Sequence, residues 1–147
     1  MGLKLTRFKV NKFRSIEKSD WIDVADNSCL VGTNEAGKTN LLLALWKLNP
    51  ANNEPIVPLD DFPRDLFSNY DAGGHETDVF VEADFELDEP MAREIAALLG
   101  CELEQVRTVL VKRRYSGKYN ITFPYSTVDS VPVSRLSATL SVHLPLK

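Results

Sequence analysis

Residues 32–39 read Gly-Thr-Asn-Glu-Ala-Gly-Lys-Thr. Two glycines separated by four residues, followed by lysine and threonine, have the spacing of a phosphate-binding loop. Each residue type has a physical reason. Gly32 and Gly37 let backbone N–H groups turn inward around phosphate oxygens with no Cβ in the way. Lys38 would place a point charge on the β- and γ-phosphates, and the Thr39 hydroxyl would ligate Mg²⁺. Asn34, Glu35, Ala36 and Asn40 complete the cradle and its flanks. A helix starting at this point would aim its positive dipole end at the anion. The chemistry implied is binding of a nucleoside triphosphate with Mg²⁺.

The elements that must position such a loop can be read around it. Residues 3–10 alternate apolar and polar, the pattern of a half-buried strand in an antiparallel sheet. A polar connection over 11–15 leads to a second strand at 21–24. Asp26-Asn27 signals a turn, and the apolar run 28–31 reads as a buried strand entering Gly32. From Gly37 to Leu48 the sequence predicts a helix, apolar nearly all round and therefore deeply buried, ended by Asn49-Pro50. Residues 49–77 form a long connection rich in proline and glycine, with a short helical turn near 61–67. Residues 78–87 read as a strand. Asp88 is the N-cap of a helix with Pro90 in its first turn, closed by Gly100. Runs 106–114 and 118–124 form a hairpin around Ser116-Gly117. The tail 125–147 carries no clear pattern.

The pieces together bear a resemblance. LTRFKVNKFRSIEKSDWIDV followed by SCLVGTNEAGKTNLLLALWKL resembles the N-terminus of the ABC-type ATPase heads of RecF, SMC and OLD-family proteins. The matching parts are a first strand, the segment Phe13-Arg14-Ser15, a second strand, and the loop in its Gly-x-Asn-Glu-x-Gly-Lys-Thr-Asn form. The resemblance is close over 3–48 and loose over 58–124. It implies an α/β fold: an ABC-ATPase-like mixed sheet with an N-terminal antiparallel β-subdomain, here incomplete, the whole chain being the front part of one head. It further implies ATP and Mg²⁺, head-to-head dimerisation around nucleotide, and work on DNA in maintenance or anti-phage defence. In that group the Phe-Arg-Ser segment lies near the nucleotide, so Arg14 is a candidate phosphate ligand beside its alternative, a solvated turn residue.

Turnover in such heads needs a glutamine that senses the γ-phosphate, an LSGG-type signature, and a Walker B strand ending in Asp-Glu. Leu87-Asp88-Glu89-Pro90 is the nearest match to the last, which makes Asp88 and Glu89 weak catalytic candidates. The charged alternation Glu82, Asp84, Glu86 does not suit a central parallel strand, and a helix start already explains Asp88. Tyr115-Ser116-Gly117-Lys118 lacks the second glycine of a signature, and Gln105 has no reason to face nucleotide. The expectation is an ABC-type ATPase when complete, with this chain alone inactive. Any nuclease activity would belong to the remainder of a longer protein. The rival readings are a nucleotide-dependent interaction module without turnover, and a small complete phosphotransferase using Asp88 or Glu89.

Bulk properties fit these readings. The 147 residues are 44% hydrophobic and 26% charged, with net charge −4, values of a globular domain with no overall pull on nucleic acid. Cys29 and Cys101 lack metal-site spacing and read as reduced thiols in a cytoplasmic protein; Cys29 is expected to be a buried small hydrophobe. No apolar run is long enough to span a membrane, and Gly2 with Thr6 only loosely fits a myristoylation pattern. Lys112-Arg113-Arg114 with Tyr115, Lys118 and Tyr119 could touch nucleic acid, although the solvated face of a hairpin explains it better. His75 and His143 stand alone, and Asp60-Asp61 is explained by a helix or turn start.

Overall fold

In the computed structural model, residues 2–31, 37–71 and 75–126 are described. The sheet is antiparallel throughout these residues. β1 (Leu3–Phe13) turns back through Arg14-Ser15 into β2 (Ile16–Lys18), pairing Phe13 with Ile16. The two-residue β3 (Ile22–Asp23) lies further along that edge, against Arg7 and Phe8. The other edge of β1 pairs with β4 (Val79–Leu87), which pairs with β5 (Thr108–Arg114), which pairs with β6 (Tyr119–Thr122). The strand order is therefore β2-β1-β4-β5-β6, with β3 off the path.

This corrects the expectation of a mixed α/β sheet of the ABC-ATPase type. Every pairing among the described residues is antiparallel. The buried strand expected at 28–31 does not form either. Residues 28–31 have no regular structure, and Val31 is 89% exposed. Chain direction turns at Ala25, where the backbone N–H donates to Ser28 Oγ at 2.8 Å, and the run beyond meets no partner strand. Cys29 is consequently exposed rather than a core residue.

The charged alternation of β4 has a simple cause in this sheet. Glu82 meets Lys9 from β1 and Lys112 from β5, and Asp84 accepts Arg7 Nε at 2.5 Å. These are cross-strand charge pairs on one face, while Val81, Ala83 and Leu87 are buried in the core with Phe8, Val10 and Phe13 of β1 and Val109 and Val111 of β5.

Four α-helices accompany the sheet among the described residues. α1 (Lys38–Trp46) is shorter than its predicted 37–48 and far less enclosed. Only Ala44 is buried within it, and Leu42 and Trp46 are 53% and 38% exposed. It packs on β1 and β4, and its all-round apolar composition does not bring all-round burial. The connection over 49–77 is more structured than expected: α2 (Pro58–Asp61), a 3₁₀ turn at Arg64–Leu66, α3 (Phe67–Asp71) and a second 3₁₀ turn at His75–Thr77. α4 (Glu89–Leu99) is bounded as its caps predict, with Asp88 accepting from the Met91 N–H and Gly100 in the left-handed conformation at its end. Its Met91, Ala92, Ile95 and Ala96 join the core.

Candidate functional site

The start of α1 is where the candidate residues converge. Gly37 adopts φ +76° and precedes the first helical residue with no side chain capping the helix. The first N–H groups of a helix lack partners within it, so their partners must come from outside the helix. An added Cβ at Gly37 would sit 3.4 Å from Ser15 Oγ and 3.6 Å from Ile16 Cγ1, in a backbone conformation that L side chains rarely adopt. Those are ordinary contact distances, so it is the left-handed conformation, not the space, that favours glycine here. Lys38 is half-buried, Thr39 exposed and Asn40 half-buried. Gly32, Asn34, Glu35 and Ala36 lie outside the described residues.

The β1–β2 turn packs directly against this helix start. Asn40 Nδ2 donates to Ser15 Oγ at 2.7 Å, across 25 residues of sequence. Arg14 beside it holds φ +52°, a conformation costing a non-glycine residue about 1 kcal/mol or more. Surrounding structure holds it there. The Arg14 N–H donates to the Asp61 carbonyl at 2.7 Å, and Arg14 Nη2 lies 3.4 Å from Asp61 Oδ1. The Arg14 side chain is 37% exposed. Phe13-Arg14-Ser15 and the first turn of α1, separate in sequence, form one corner of the molecule.

The sequence explains Asp61 only as part of a helix or turn start. It is fully buried, and its Oδ2 accepts Lys47 Nζ at 2.5 Å and the Val57 N–H at 3.1 Å. Lys47, at the C-terminal end of α1, has a side chain only 4% exposed, with Glu54 3.8 Å away as a second, weaker partner. Tyr115 donates its hydroxyl to the carbonyls of Lys12 and Asp61. Asp61 and Phe62 are buried while Leu59 and Asp60 are exposed, a difference that two identical neighbouring carboxylates do not signal in sequence.

Burial holds the hydroxyls of Tyr70, Tyr115 and Tyr119 above the ordinary tyrosine range; nearby carboxylates add to this at Tyr70 and Tyr115, and Arg113 opposes it at Tyr119. A folded-state value above the unfolded one means stability is full below pH ~10 and declines as pH rises past it. Melting temperature is therefore expected to fall between pH 9.5 and 11.5 at constant ionic strength (pH limits roughly bracketing the tyrosine range). In Tyr115→Phe, which starts lower for want of its two hydrogen bonds, the fall should be shallower. An equal slope in both proteins would remove Tyr115 from the account.

The weak catalytic candidates lie elsewhere. Asp88 Oδ2 accepts the Gly2 N–H at 2.5 Å and its Oδ1 the Met91 N–H at 3.1 Å; Glu89 pairs with Arg93 one helical turn on. Leu87 is paired with Leu3, at the end of β1 opposite Phe13. Ten residues of strand separate those ends, about 30 Å at ~3.3 Å per residue. The structure does not bring Asp88 or Glu89 to the start of α1. Asp88→Ala is accordingly expected to cost about 0.5–2 kcal/mol, the range for a lost N-cap, in urea denaturation.

The basic stretch on β5 is also accounted for. Lys112 pairs with Glu82, and Arg114 binds Asn120 and the Thr77 carbonyl. Arg113 turns inward to the carbonyls of Lys47 and Leu48 behind α1, where Tyr119 also donates to Leu48 at 2.7 Å. All three residues are half-buried, so the run is not a simple solvated face. Gln105 closes a capping box with Glu102. His75 Nδ1 lies 2.8 Å from Asp78 Oδ2; His143 lies outside the described residues. Among the described residues no cluster of three or more His, Cys, Asp or Glu could hold a metal, and no helix is long and apolar enough to cross a membrane.

Compared with known proteins, the sequence matches no protein-family model and no curated protein.

Proposed function

We propose that residues 32–40 bind the phosphates of Mg-ATP, and that the chain is the ATP-binding segment of an ATPase akin to the RecF, SMC and OLD proteins. Its work would lie in DNA maintenance or anti-phage defence, with hydrolysis needing groups from outside this chain. The observation that carries this reading is the packing of Ser15 against Gly37 and Asn40. It sets the Arg14-Ser15 turn beside the loop residues that the motif singles out. The residues suit the ligand: an uncapped helix start, a glycine that a larger residue could not replace without strain, a lysine and a hydroxyl next in line. Phosphate binding needs these local groups; it does not need the mixed sheet that the sequence suggested. When bound, Mg²⁺ would neutralise phosphate charge, with Thr39 as its ligand from this chain.

A second reading, an interaction module that binds nucleotide without turnover, is favoured by the exposed Leu42 and Trp46 on the helix leaving the loop. A complete phosphotransferase using Asp88 or Glu89 is disfavoured by their position at the far end of β1. Titration of Mg-ATP into the 147-residue chain, with Lys38→Ala as control and phosphate release followed in parallel, tests the proposal. Binding lost in Lys38→Ala supports it. Absence of binding, or binding indifferent to Lys38, overturns it. Phosphate release once the partner motifs are supplied separates the ATPase from the interaction module.

A further inference from the structure

A cavity of about 310 Å³ opens at the end of β1 remote from α1, where β1 begins, β4 ends and β5 begins. Its size lies at the lower limit of ligand pockets, roughly 300–1,000 Å³, and suits a small molecule. Backbone bonds tie its walls together. The Leu87 N–H donates to the Arg107 carbonyl at 2.8 Å, and the Asp88 N–H to the Gly2 carbonyl at 2.9 Å. Leu3 and Leu87 supply apolar lining, and Lys4, Glu86, Asp88 and Arg107 supply charge of both signs.

These charges are not equally open. Asp88 spends its carboxylate on the N–H groups of Gly2 and Met91, and Lys4 Nζ pairs with Asp26 at 2.8 Å. Arg107 commits only Nε, to an exposed Glu104 at 3.1 Å, and no described residue takes its two terminal nitrogens. Glu86 is exposed, and no described residue forms an ion pair or hydrogen bond with its carboxylate. The two open groups sit on neighbouring strands: Glu86 pairs with Thr108, the residue after Arg107. Strands lie about 4.8 Å apart, a distance that one short ligand bridges. An open cation and an open anion on one cavity favour a ligand carrying both charges. A plain anion meets Glu86 as a repulsion, and a plain cation meets Arg107.

We propose that this cavity binds a small zwitterion of the α-amino acid class, its carboxylate on the Arg107 guanidinium and its ammonium on Glu86. A guanidinium fork matches a carboxylate with two parallel hydrogen bonds, and a short apolar side chain on the ligand would lie against Leu3. The site shares no residue with the proposed phosphate site and does not depend on it.

The test is an NMR titration of the full chain with L-valine, following the backbone amides of Leu3, Leu87 and Thr108. Isovalerate, which is valine without its ammonium, and isobutylamine, which is valine without its carboxylate, serve as the comparison ligands. Valine should give saturable shifts at these amides, and each comparison ligand should bind at least about tenfold more weakly, for loss of one charge-assisted contact. Glu86→Gln and Arg107→Gln should each weaken valine by about the same factor. Glu86→Gln should at the same time tighten isovalerate, because it removes the repulsion. Lys38→Ala should leave valine binding unchanged. No saturable shift with valine at tens of millimolar would overturn the proposal. So would isovalerate or isobutylamine binding as well as valine, or valine affinity indifferent to both Glu86→Gln and Arg107→Gln. The comparison of the three ligands on the wild-type chain decides even if a variant does not fold.

Discussion

Asp61→Ala is expected to destabilise the chain by about 3–5 kcal/mol, the cost of removing one partner of a buried ion pair. Against a total stability of roughly 5–15 kcal/mol for a domain, this is a large fraction of what holds the fold. The reason is what the substitution leaves behind. Lys47 would keep its ammonium with a side chain 4% exposed, and Glu54 at 3.8 Å would be its remaining carboxylate. The Val57 N–H would lose its acceptor at the start of α2, and Arg14 its side-chain partner. Urea denaturation at pH 7 reads the change directly. Pairing Asp61→Leu with Lys47→Met should recover much of the loss, because an apolar pair needs no desolvation of charge. A cost of Asp61→Ala below about 1 kcal/mol, as for an exposed pair, would mean that the cluster is wetter than its burial indicates.

The same cluster explains why the fold was only partly legible in sequence. Local signals were reliable where a single element carried them. The alternation of 3–10 predicted β1, which the structure extends to Phe13. Asp88, Pro90 and Gly100 bounded α4 closely, and Ser116-Gly117 marked the turn between β5 and β6. Signals that depended on neighbours failed. The run 28–31 is four residues long, and a short apolar run becomes a strand only beside a partner. In this chain the partner edge of β1 is taken by β2 and β3. The apolar surface of α1 overstated its burial for a related reason: composition records what a helix could bury, and packing decides how much of it is covered.

The candidate site divides in the same way. The motif 32–39 is a local pattern, and Gly37 meets its requirement for a left-handed residue at the helix start. That Ser15 would touch Asn40 is a contact across 25 residues that no periodicity encodes. Asp61 was the least legible. It follows an identical residue, Asp60, that is not buried, and its importance comes from Arg14, Lys47 and Tyr115, drawn from three separate stretches of chain. The basic run 112–114 shows the converse. It looked like a surface, yet Arg113 is turned into the molecule behind α1, where burial holds its guanidinium below the usual arginine range despite the favourable presence of Tyr119.

Lys38→Ala is expected to weaken Mg-ATP binding by about 10- to 100-fold, from the roughly 1.5–3 kcal/mol carried by a hydrogen bond to a charged group. The loss should fall on affinity and hardly on stability. Lys38 lies in the first turn of α1, where a cation opposes the helix dipole and alanine is the better helix former. A melting temperature that holds or rises, together with lost binding, is therefore the signature of a functional lysine. A structural one would lose both. Asp88→Ala supplies the complementary control. It should lower stability through its cap and leave ATP affinity unchanged, since it sits about 30 Å from the start of α1 by strand length. If the isolated chain released phosphate, and Asp88→Ala abolished that release without unfolding α4, then a second copy of the chain would have to bring Asp88 to the nucleotide. Sedimentation in the presence of Mg-ATP would then show a dimer, and mixing Lys38→Ala with Asp88→Ala chains would restore part of the activity that each lacks alone.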